Sequence, residues 1–116
     1  MSTRLKWLLV VLCLVALVPV HARADGLLPP GVDAVIDLGL VRVPPVFGVI
    51  REEGRVADAD MLRTFNMGVG LVAVCAKDAV AEVSARLSAG GGACYTIGTI
   101  EGGAGAVRFR GDLRWE

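Results

Sequence analysis

The amino-acid sequence predicts an α+β domain in which helices pack on a mixed β-sheet. The run GLVAVCA, residues 70–76, is apolar throughout and has the length of a buried strand, so Val72 and Val74 are expected to lie in the core. Residues 80–87 place three apolar side chains at helical spacing ahead of a glycine stop, which predicts a helix. A strand, a helix and two further strands, preceded by two helices, predict helices layered on a sheet.

Two short helices are expected ahead of that strand. Residues 45–53 begin at a Pro-Pro pair, carry apolar residues on one face and precede Gly54, which suits the position just after a helix. The second helix is predicted to begin with Asp58 as its N-cap and to end near Phe65. Nearer the N-terminus, residues 34–36 form a short apolar run between turn residues, which fits either a strand or a packed turn.

The C-terminal part of the chain alternates apolar and polar residues on both sides of a glycine-rich turn. Residues 95–97 and 107–110 flank the sequence EGGAG, a pattern that predicts a closing β-hairpin. Arg108 and Arg110 are expected on the exposed side of an edge strand, where their charges discourage pairing with another chain. No helix is predicted to follow the glycines, so the turn is interpreted as structural rather than as a phosphate loop.

The first 26 residues, MSTRLKWLLVVLCLVALVPVHARADG, have the pattern of a secretory leader. Arg4 and Lys6 precede an apolar run over residues 7–20, and an A-x-A cleavage pattern follows. The run is shorter than the roughly 20 residues that a membrane-spanning helix needs. We therefore predict a leader over residues 1–24 and a single domain over 25–116. A retained membrane anchor and a misassigned gene start are the alternatives.

Composition removes several classes of function. The formal net charge is zero, with 12 basic and 12 acidic residues, so no electrostatic footprint for nucleic acid is present. The single histidine, His21, falls in the predicted leader, which argues against zinc binding and serine-histidine chemistry in the domain. Cys13 also falls there. Cys75 and Cys94 are expected at opposite ends of the sheet, too far apart for a disulfide.

Four segments together resemble one enzyme family. PPGVDAVIDLG, VPPVFGVIREEGRV, MLRTFNMGVGLVAV and YTIGTIEGG, in this order, are similar to the C-terminal domain of phosphoribosylformylglycinamidine cyclo-ligase, also called AIR synthase. The similarity spans about residues 27–110. It implies an ATP-dependent closure of the imidazole ring of formylglycinamidine ribonucleotide to aminoimidazole ribonucleotide in purine biosynthesis. It also implies a cytoplasmic location.

The resemblance covers only part of a two-domain enzyme. In the family, ATP with magnesium is recognised mainly by an N-terminal domain, and a glycine-rich phosphate loop usually lies just before the LPPG region, where this chain has the predicted leader. No ATP or magnesium is expected to bind this chain alone, which is expected to be inactive without an ATP-binding domain on a separate chain. The alternative is a small exported binding domain that keeps the fold without the chemistry.

The match to RTFNMGVG supplies the candidate substrate-binding residues, and no catalytic residue is assigned. They are Arg63, Thr64, Asn66, Gly68 and Gly70. The arginine suits a two-pronged phosphate contact, the threonine and asparagine suit orientation of polar substrate atoms, and the glycines permit close backbone approach. A purely structural interpretation stands beside this one, because the same residue types also finish a helix and relieve a tight turn into a strand.

Overall fold

The computed structural model describes residues 7–13 and 28–115. Within them the chain forms five strands and three α-helices. In chain order these are β1 Trp7–Cys13, β2 Val32–Asp37, α1 Pro45–Gly54, α2 Asp58–Thr64, β3 Leu71–Ala76, α3 Val80–Ser88, β4 Ala93–Gly102 and β5 Val107–Arg110. Each predicted helix is present, with bounds that differ by one or a few residues. The run at 34–36 belongs to a strand rather than to a packed turn.

The strands form one mixed sheet in the order β3-β1-β4-β2-β5. Strand β1 is antiparallel to both β3 and β4, and β2 is antiparallel to β4. Strand β5 runs parallel to β2. A mixed sheet with helices packed on it confirms the predicted α+β class.

The predicted C-terminal hairpin is wrong. Strands β4 and β5 are neighbours in sequence, but β2 lies between them in the sheet. The connecting loop crosses the end of β2, where Gly103 N donates to Gly31 O at 3.0 Å and Gly105 N donates to Val32 O at 2.9 Å. Alternation of apolar and polar residues identifies a strand but not the strand with which it pairs. The local sequence therefore could not indicate that β2 lies between β4 and β5.

The Asp33 carboxylate holds this loop in place. The residue is buried, and its Oδ1 accepts hydrogen bonds from the backbone N–H groups of Ala104 and Ala106, both at 2.8 Å. Its Oδ2 accepts from Arg108 Nε at 2.9 Å. The two backbone N–H groups and the guanidinium lower the pKa of the Asp33 carboxyl, against the opposing effect of desolvation. A Cβ atom on Gly103 would overlap this carboxyl group, so the loop needs glycine there.

The first two helices differ in detail from the sequence prediction. The left-handed residue after α1 is Arg55, with φ of 49°, rather than Gly54, which is the last helical residue. Helix α2 has Ala57 at its N-cap, and Asp58 is its first residue. The Asp58 carboxylate does not cap the helix because it accepts hydrogen bonds from Arg51 Nε at 2.6 Å and from Trp115 Nε1 at 3.1 Å.

The core lies on one face of the sheet. Strand β2 contributes Ala34 and Ile36, and β4 contributes Ile97 and Ile100, all almost fully buried. Residues outside the sheet complete the cluster, and Met61 of α2 is the most buried of them. The other members of the buried cluster are Val32, Leu38, Val41, Met67, Tyr95 and Leu113. The α2 helix and the loop that follows it are therefore anchored through buried methionines.

The prediction that Val72 and Val74 lie in the core is wrong. Both side chains are 40% exposed, and Leu71 is 50% exposed. The reason is the position of β3 at the edge of the sheet. A continuous apolar run fits a central strand buried on both faces, and the sequence does not distinguish that case from an apolar edge strand.

Most of the predicted leader, including its cleavage pattern, lies outside the described residues. The described part of it is β1, which occupies the position between β3 and β4. Its register pairs Val10 with Ala73 on one side and with Thr96 on the other. In the part of the chain that the structure describes, no helix has the length and apolar character required to cross a membrane.

Cys75 and Cys94 lie beside different ends of β1, on opposite sides of that strand. Cys75 is in register with Leu8, and Cys94 is in register with Leu12. Four residues along a strand span about 13 Å, and β1 itself separates the two. This placement agrees with the prediction that Cys75 and Cys94 are too far apart for a disulfide.

Candidate functional site

The five predicted site residues lie in one continuous segment at the end of α2 and in the loop that leads to β3. Arg63 and Thr64 are in the last turn of the helix, and both are exposed. Asn66 and Gly70 are half-buried in the loop, and Gly68 is buried. The helix end is thus open to solvent while the loop is packed against the protein.

Arg63 is held weakly. Its Nη1 lies 3.3 Å from Asp60 Oδ1 one helical turn away, and its side chain is 77% exposed. Exposed ion pairs of this kind contribute about 0–1 kcal/mol. The guanidinium can therefore leave Asp60 for a phosphate group at little cost in folding energy.

Asn66 shapes the turn that follows α2. Its side-chain Oδ1 accepts a hydrogen bond from Gly68 N at 2.9 Å, and its backbone O accepts one from Val69 N at 2.9 Å. Between them Met67 and Gly68 both have positive φ, 54° and 89°. An asparagine side chain bonded to the backbone two residues ahead is a standard turn-forming device. The structural interpretation of Asn66 therefore has direct geometric support.

Gly68 brings this turn into close contact with the segment ahead of α1. A Cβ atom at Gly68 would lie 2.5 Å from Pro44 Cδ and 2.6 Å from Pro44 Cγ, closer than packed atoms approach. The carbonyl oxygen of Arg42 would be 3.6 Å away. Glycine is required here both by its φ and by the proline ring. The VPPVF and FNMGVG motifs, distant in sequence, thus meet at this contact.

Arg42 borders the turn and was not singled out from the sequence. Its backbone N–H donates to Tyr95 Oη at 3.0 Å, and its guanidinium carbon lies 4.4 Å from the centre of the Tyr95 ring. The arginine is exposed and the tyrosine is buried. Stacking on the ring fixes the direction of the cation. The one sequence feature that could have indicated Arg42 is that a basic residue stands directly ahead of the VPP motif.

Two arginines adjoin the 65–70 loop: the Arg42 carbonyl lies near Gly68, and Arg63 is in the last turn of α2, directly ahead of the loop. We refer to Arg42, Arg63 and the 65–70 loop as the cationic surface. The loop contains no carboxylate. Mg²⁺ is usually bound through one or two carboxylates together with phosphate oxygens, whereas a phosphate group is bound by arginine and backbone N–H groups. The two arginines suit an anion better than a metal ion, while the N–H groups of Gly68 and Val69 already donate to Asn66 and Arg63 is paired with Asp60.

Comparison with known proteins identifies the family. The family described as AIR synthase related protein, C-terminal domain, matches residues 11–110. The chain belongs to this family. The match covers most of the 116 residues, and it begins inside β1, so it includes part of the segment predicted as a leader.

A concave region of this AIR synthase-related domain lies elsewhere, on the sheet face opposite the core. It encloses about 130 Å³ and is lined by Val35, Asp37, Leu40, Thr96, Gly98, Thr99 and Arg110. Ligand pockets usually enclose about 300–1,000 Å³, so this one is too small for a nucleotide. Its charged groups already have protein partners, because Asp37 accepts from Gly39 N at 3.0 Å and Arg110 pairs with Glu101 at 3.3 Å.

Clusters of metal-ligating side chains are a further kind of candidate site. Among the described residues of this domain, no three His, Cys, Asp or Glu side chains come together as possible metal ligands. In the described part of the chain, the cationic surface at the 65–70 loop remains the candidate site, and its two arginines suit an anionic ligand.

Proposed function

We propose that this chain is the C-terminal part of an AIR synthase, the enzyme that closes the imidazole ring of formylglycinamidine ribonucleotide with ATP to give aminoimidazole ribonucleotide. The observation that carries the proposal is the contact between Gly68 and Pro44, which joins the two most specific motifs of the chain into one surface. Membership of the family gives the reaction class its prior support.

The proposed reaction depends more on the positioning of the substrate groups than on chemically reactive side chains. Ring closure activates the amide oxygen of the substrate by phosphorylation, and a nearby nitrogen then displaces the phosphate. The protein must orient the reacting groups and stabilise negative charge. In this proposal Arg63 contacts a phosphate, Thr64 and Asn66 orient polar substrate atoms, and the backbone at Gly68 and Gly70 allows close approach. Arg42, stacked on Tyr95, adds a second cation.

The remaining parts of the active site belong to a second polypeptide in this proposal. An ATP-binding domain on a separate chain would hold ATP and magnesium, and the present chain would close the cleft over the ribonucleotide in the cytoplasm. The chain alone would bind neither ATP nor magnesium and would not turn over.

The other candidate function is a small exported binding domain that has kept the fold without the chemistry. The observation in its favour is the pattern of Arg4 and Lys6 followed by the apolar run at residues 7–20. Mass spectrometry of the expressed protein separates the two. An N-terminus at Asp25 outside the cytoplasm supports export, and an intact Met1 in the cytoplasm supports the cyclo-ligase proposal.

The catalytic proposal is tested by an assay for aminoimidazole ribonucleotide. The full chain with ATP, magnesium and formylglycinamidine ribonucleotide should give no product, and product should form once a separately produced ATP-binding domain of AIR synthase is added. Arg63→Ala should then reduce turnover at least tenfold. Arg86→Ala is the matched control, because Arg86 is 79% exposed and pairs with Glu82 on α3. Equal effects of the two substitutions, or turnover by the chain alone, would contradict the proposal.

A further inference from the structure

Met67, in the 65–70 loop, combines a left-handed backbone with a buried side chain. Its φ is 54°, a value that non-glycine residues disfavour and that is taken most often by glycine, asparagine or aspartate. Its side chain is 3% exposed and belongs to the hydrophobic core. Because the backbone gains nothing from a methionine in this conformation, the reason for the residue lies in the contacts of its side chain.

The turn itself does not require a methionine. The backbone O of Asn66 accepts a hydrogen bond from Val69 N at 2.9 Å, and both residues between them have positive φ, which is the pattern of a type I′ turn. Asparagine, aspartate and glycine are preferred at the two central positions of such a turn. Gly68 follows this preference and Met67 does not. The methionine is therefore explained by packing rather than by turn formation.

Two contacts hold the turn in place, one at each of its central residues. The Met67 side chain packs in the buried core, and Gly68 lies directly against the Pro44 ring. If the methionine side chain left the core, the hydrogen bonds within the turn would persist while the loop moved away from Pro44. The shape of the turn thus depends on Asn66 and Gly68, whereas its position depends on Met67.

We propose that Met67 is a positioning residue of the candidate site, which holds the 65–70 loop against the VPP segment without contacting a ligand. This inference rests on the proposed function, in which Asn66, Gly68 and Gly70 meet the ribonucleotide. The methionine is buried, so it acts only through the loop. Misplacing groups that orient a substrate by about 1 Å costs up to about 100-fold in rate. The site therefore needs an anchor of this kind.

The test separates the anchor from the turn with three substitutions of Met67. Met67→Asn and Met67→Gly introduce residues that a type I′ turn prefers, but neither fills the buried space of the methionine. Met67→Leu keeps an apolar side chain of similar volume. Ile100→Ala is the matched control, since Ile100 is 5% exposed and its truncation removes buried volume from β4 rather than from the loop. Circular dichroism checks folding, and Met67→Gly replaces Met67→Asn if the latter does not fold.

Two properties of the full chain and its variants are measured. They are the nuclear Overhauser contact between Gly68 and Pro44, and the KM for formylglycinamidine ribonucleotide after addition of an AIR synthase ATP-binding domain. Met67→Asn and Met67→Gly should lose the contact and raise KM about tenfold, because the loop shifts. Met67→Leu should keep both properties of the wild type. Ile100→Ala should lower the melting temperature and leave both unchanged, because weaker core packing alone reduces the amount of folded protein.

Three results would overturn the inference. A Gly68–Pro44 contact that survives in Met67→Asn and Met67→Gly would show that the turn alone positions the loop. An unchanged KM after loss of the contact would show that the position of the loop does not matter to the site. An equal rise of KM in Ile100→Ala would indicate a general effect of the core.

Failure of the proposed function is seen separately, as no product from the wild-type chain with the ATP-binding domain. In that case the Gly68–Pro44 contact alone decides whether Met67 anchors the loop.

Discussion

Trp115, next to the C-terminus, donates its indole N–H to the carboxylate of Asp58 in α2, with Nε1 and Oδ2 3.1 Å apart. The same carboxylate accepts from Arg51 of α1, whose guanidinium carbon lies 4.8 Å from the centre of the Trp115 ring. These three side chains join the end of the chain to both helices that precede the 65–70 loop. Leu113, two residues before the tryptophan, is buried in the core.

Asp58→Ala should loosen the C-terminal segment without unfolding the sheet. The substitution removes two hydrogen-bond acceptors, and we expect a loss of about 1–2 kcal/mol in the free energy of unfolding, toward the lower figure because the carboxylate is 41% exposed. Trp115 fluorescence should shift toward that of a solvent-exposed indole. Asp60→Ala is the control, since its single ion pair with Arg63 is exposed. A loss of stability without a change in fluorescence would contradict the proposed role of Asp58.

Acid should destabilise the protein through Asp33 and Asp58. Hydrogen bonds to the carboxylates lower the pKa of both groups in the folded chain from the ordinary value of 3.8. Their stabilisation is therefore complete above about pH 5, where the unfolded groups are almost fully ionised, and it is lost as the pH falls through the lowered folded-state pKa values. Urea melts between pH 2 and 6 should show this loss. In Asp33→Asn the decline on acidification should be smaller, and an unchanged decline would argue against the carboxylate's part.

Gly68→Ala should destabilise the turn for two separable reasons. A non-glycine residue with left-handed φ costs about 1–2 kcal/mol, and the overlap with Pro44 adds about 1–3 kcal/mol by overpacking. Gly105→Ala isolates the first cost, because Gly105 has φ of 91° and nothing within 4 Å of its Cβ position. Chemical denaturation of both variants gives the comparison. Equal losses would show that the Pro44 contact relaxes easily.

Gly103→Ala should disrupt the loop between β4 and β5. The new methyl group would overlap the Asp33 carboxyl group, which is the acceptor for two backbone N–H groups of the loop. Displacing this carboxylate leaves the two donors unsatisfied. Gly102→Ala is the matched control, since nothing lies within 4 Å of its Cβ position. We expect a lower melting temperature for Gly103→Ala than for Gly102→Ala, and the reverse order would refute the contact.

The sequence predicted the elements better than their arrangement. The helices at 45–54 and 58–64 followed from apolar spacing and nearby turn residues, which are local properties, although the individual cap residues differ from those predicted. The insertion of β2 between β4 and β5 depends on the Asp33 carboxylate reaching residues more than 70 positions away. The pattern of apolar and polar residues within β5 does not indicate a contact with the distant Asp33.

At the candidate site, too, local features were predicted from the sequence and contacts between distant residues were not. The structural interpretation open from sequence was that Asn66 finishes α2, whereas its side chain forms the turn after that helix by accepting a hydrogen bond from Gly68 N. Arg42 was missed because its orientation depends on Tyr95, 53 residues away. The exposure of Val72 was missed because an apolar run does not report whether its strand is central or at an edge.

Removal of β1 should abolish cooperative folding of the domain. Strand β1 pairs with β3 along Leu71–Ala76 and with β4 on its other side, so it joins β3 to the rest of the described sheet. A chain that begins at residue 25 lacks both ladders and the apolar strand between them. We expect the 25–116 chain to lose its sharp thermal transition and to bind a hydrophobic dye, because apolar surface on both neighbouring strands becomes exposed.

The measurement compares the full chain, a chain lacking residues 1–6 and the 25–116 chain by circular dichroism melting and amide hydrogen exchange. The chain lacking residues 1–6 is the control for truncation, since it keeps β1, and it should melt like the full chain. Amides of β3 should lose protection only in the 25–116 chain. A leader cleaved after residue 24 would carry β1 away with it, so a 25–116 chain that melts as sharply as the full chain would contradict the structural role of β1 and favour the exported binding domain.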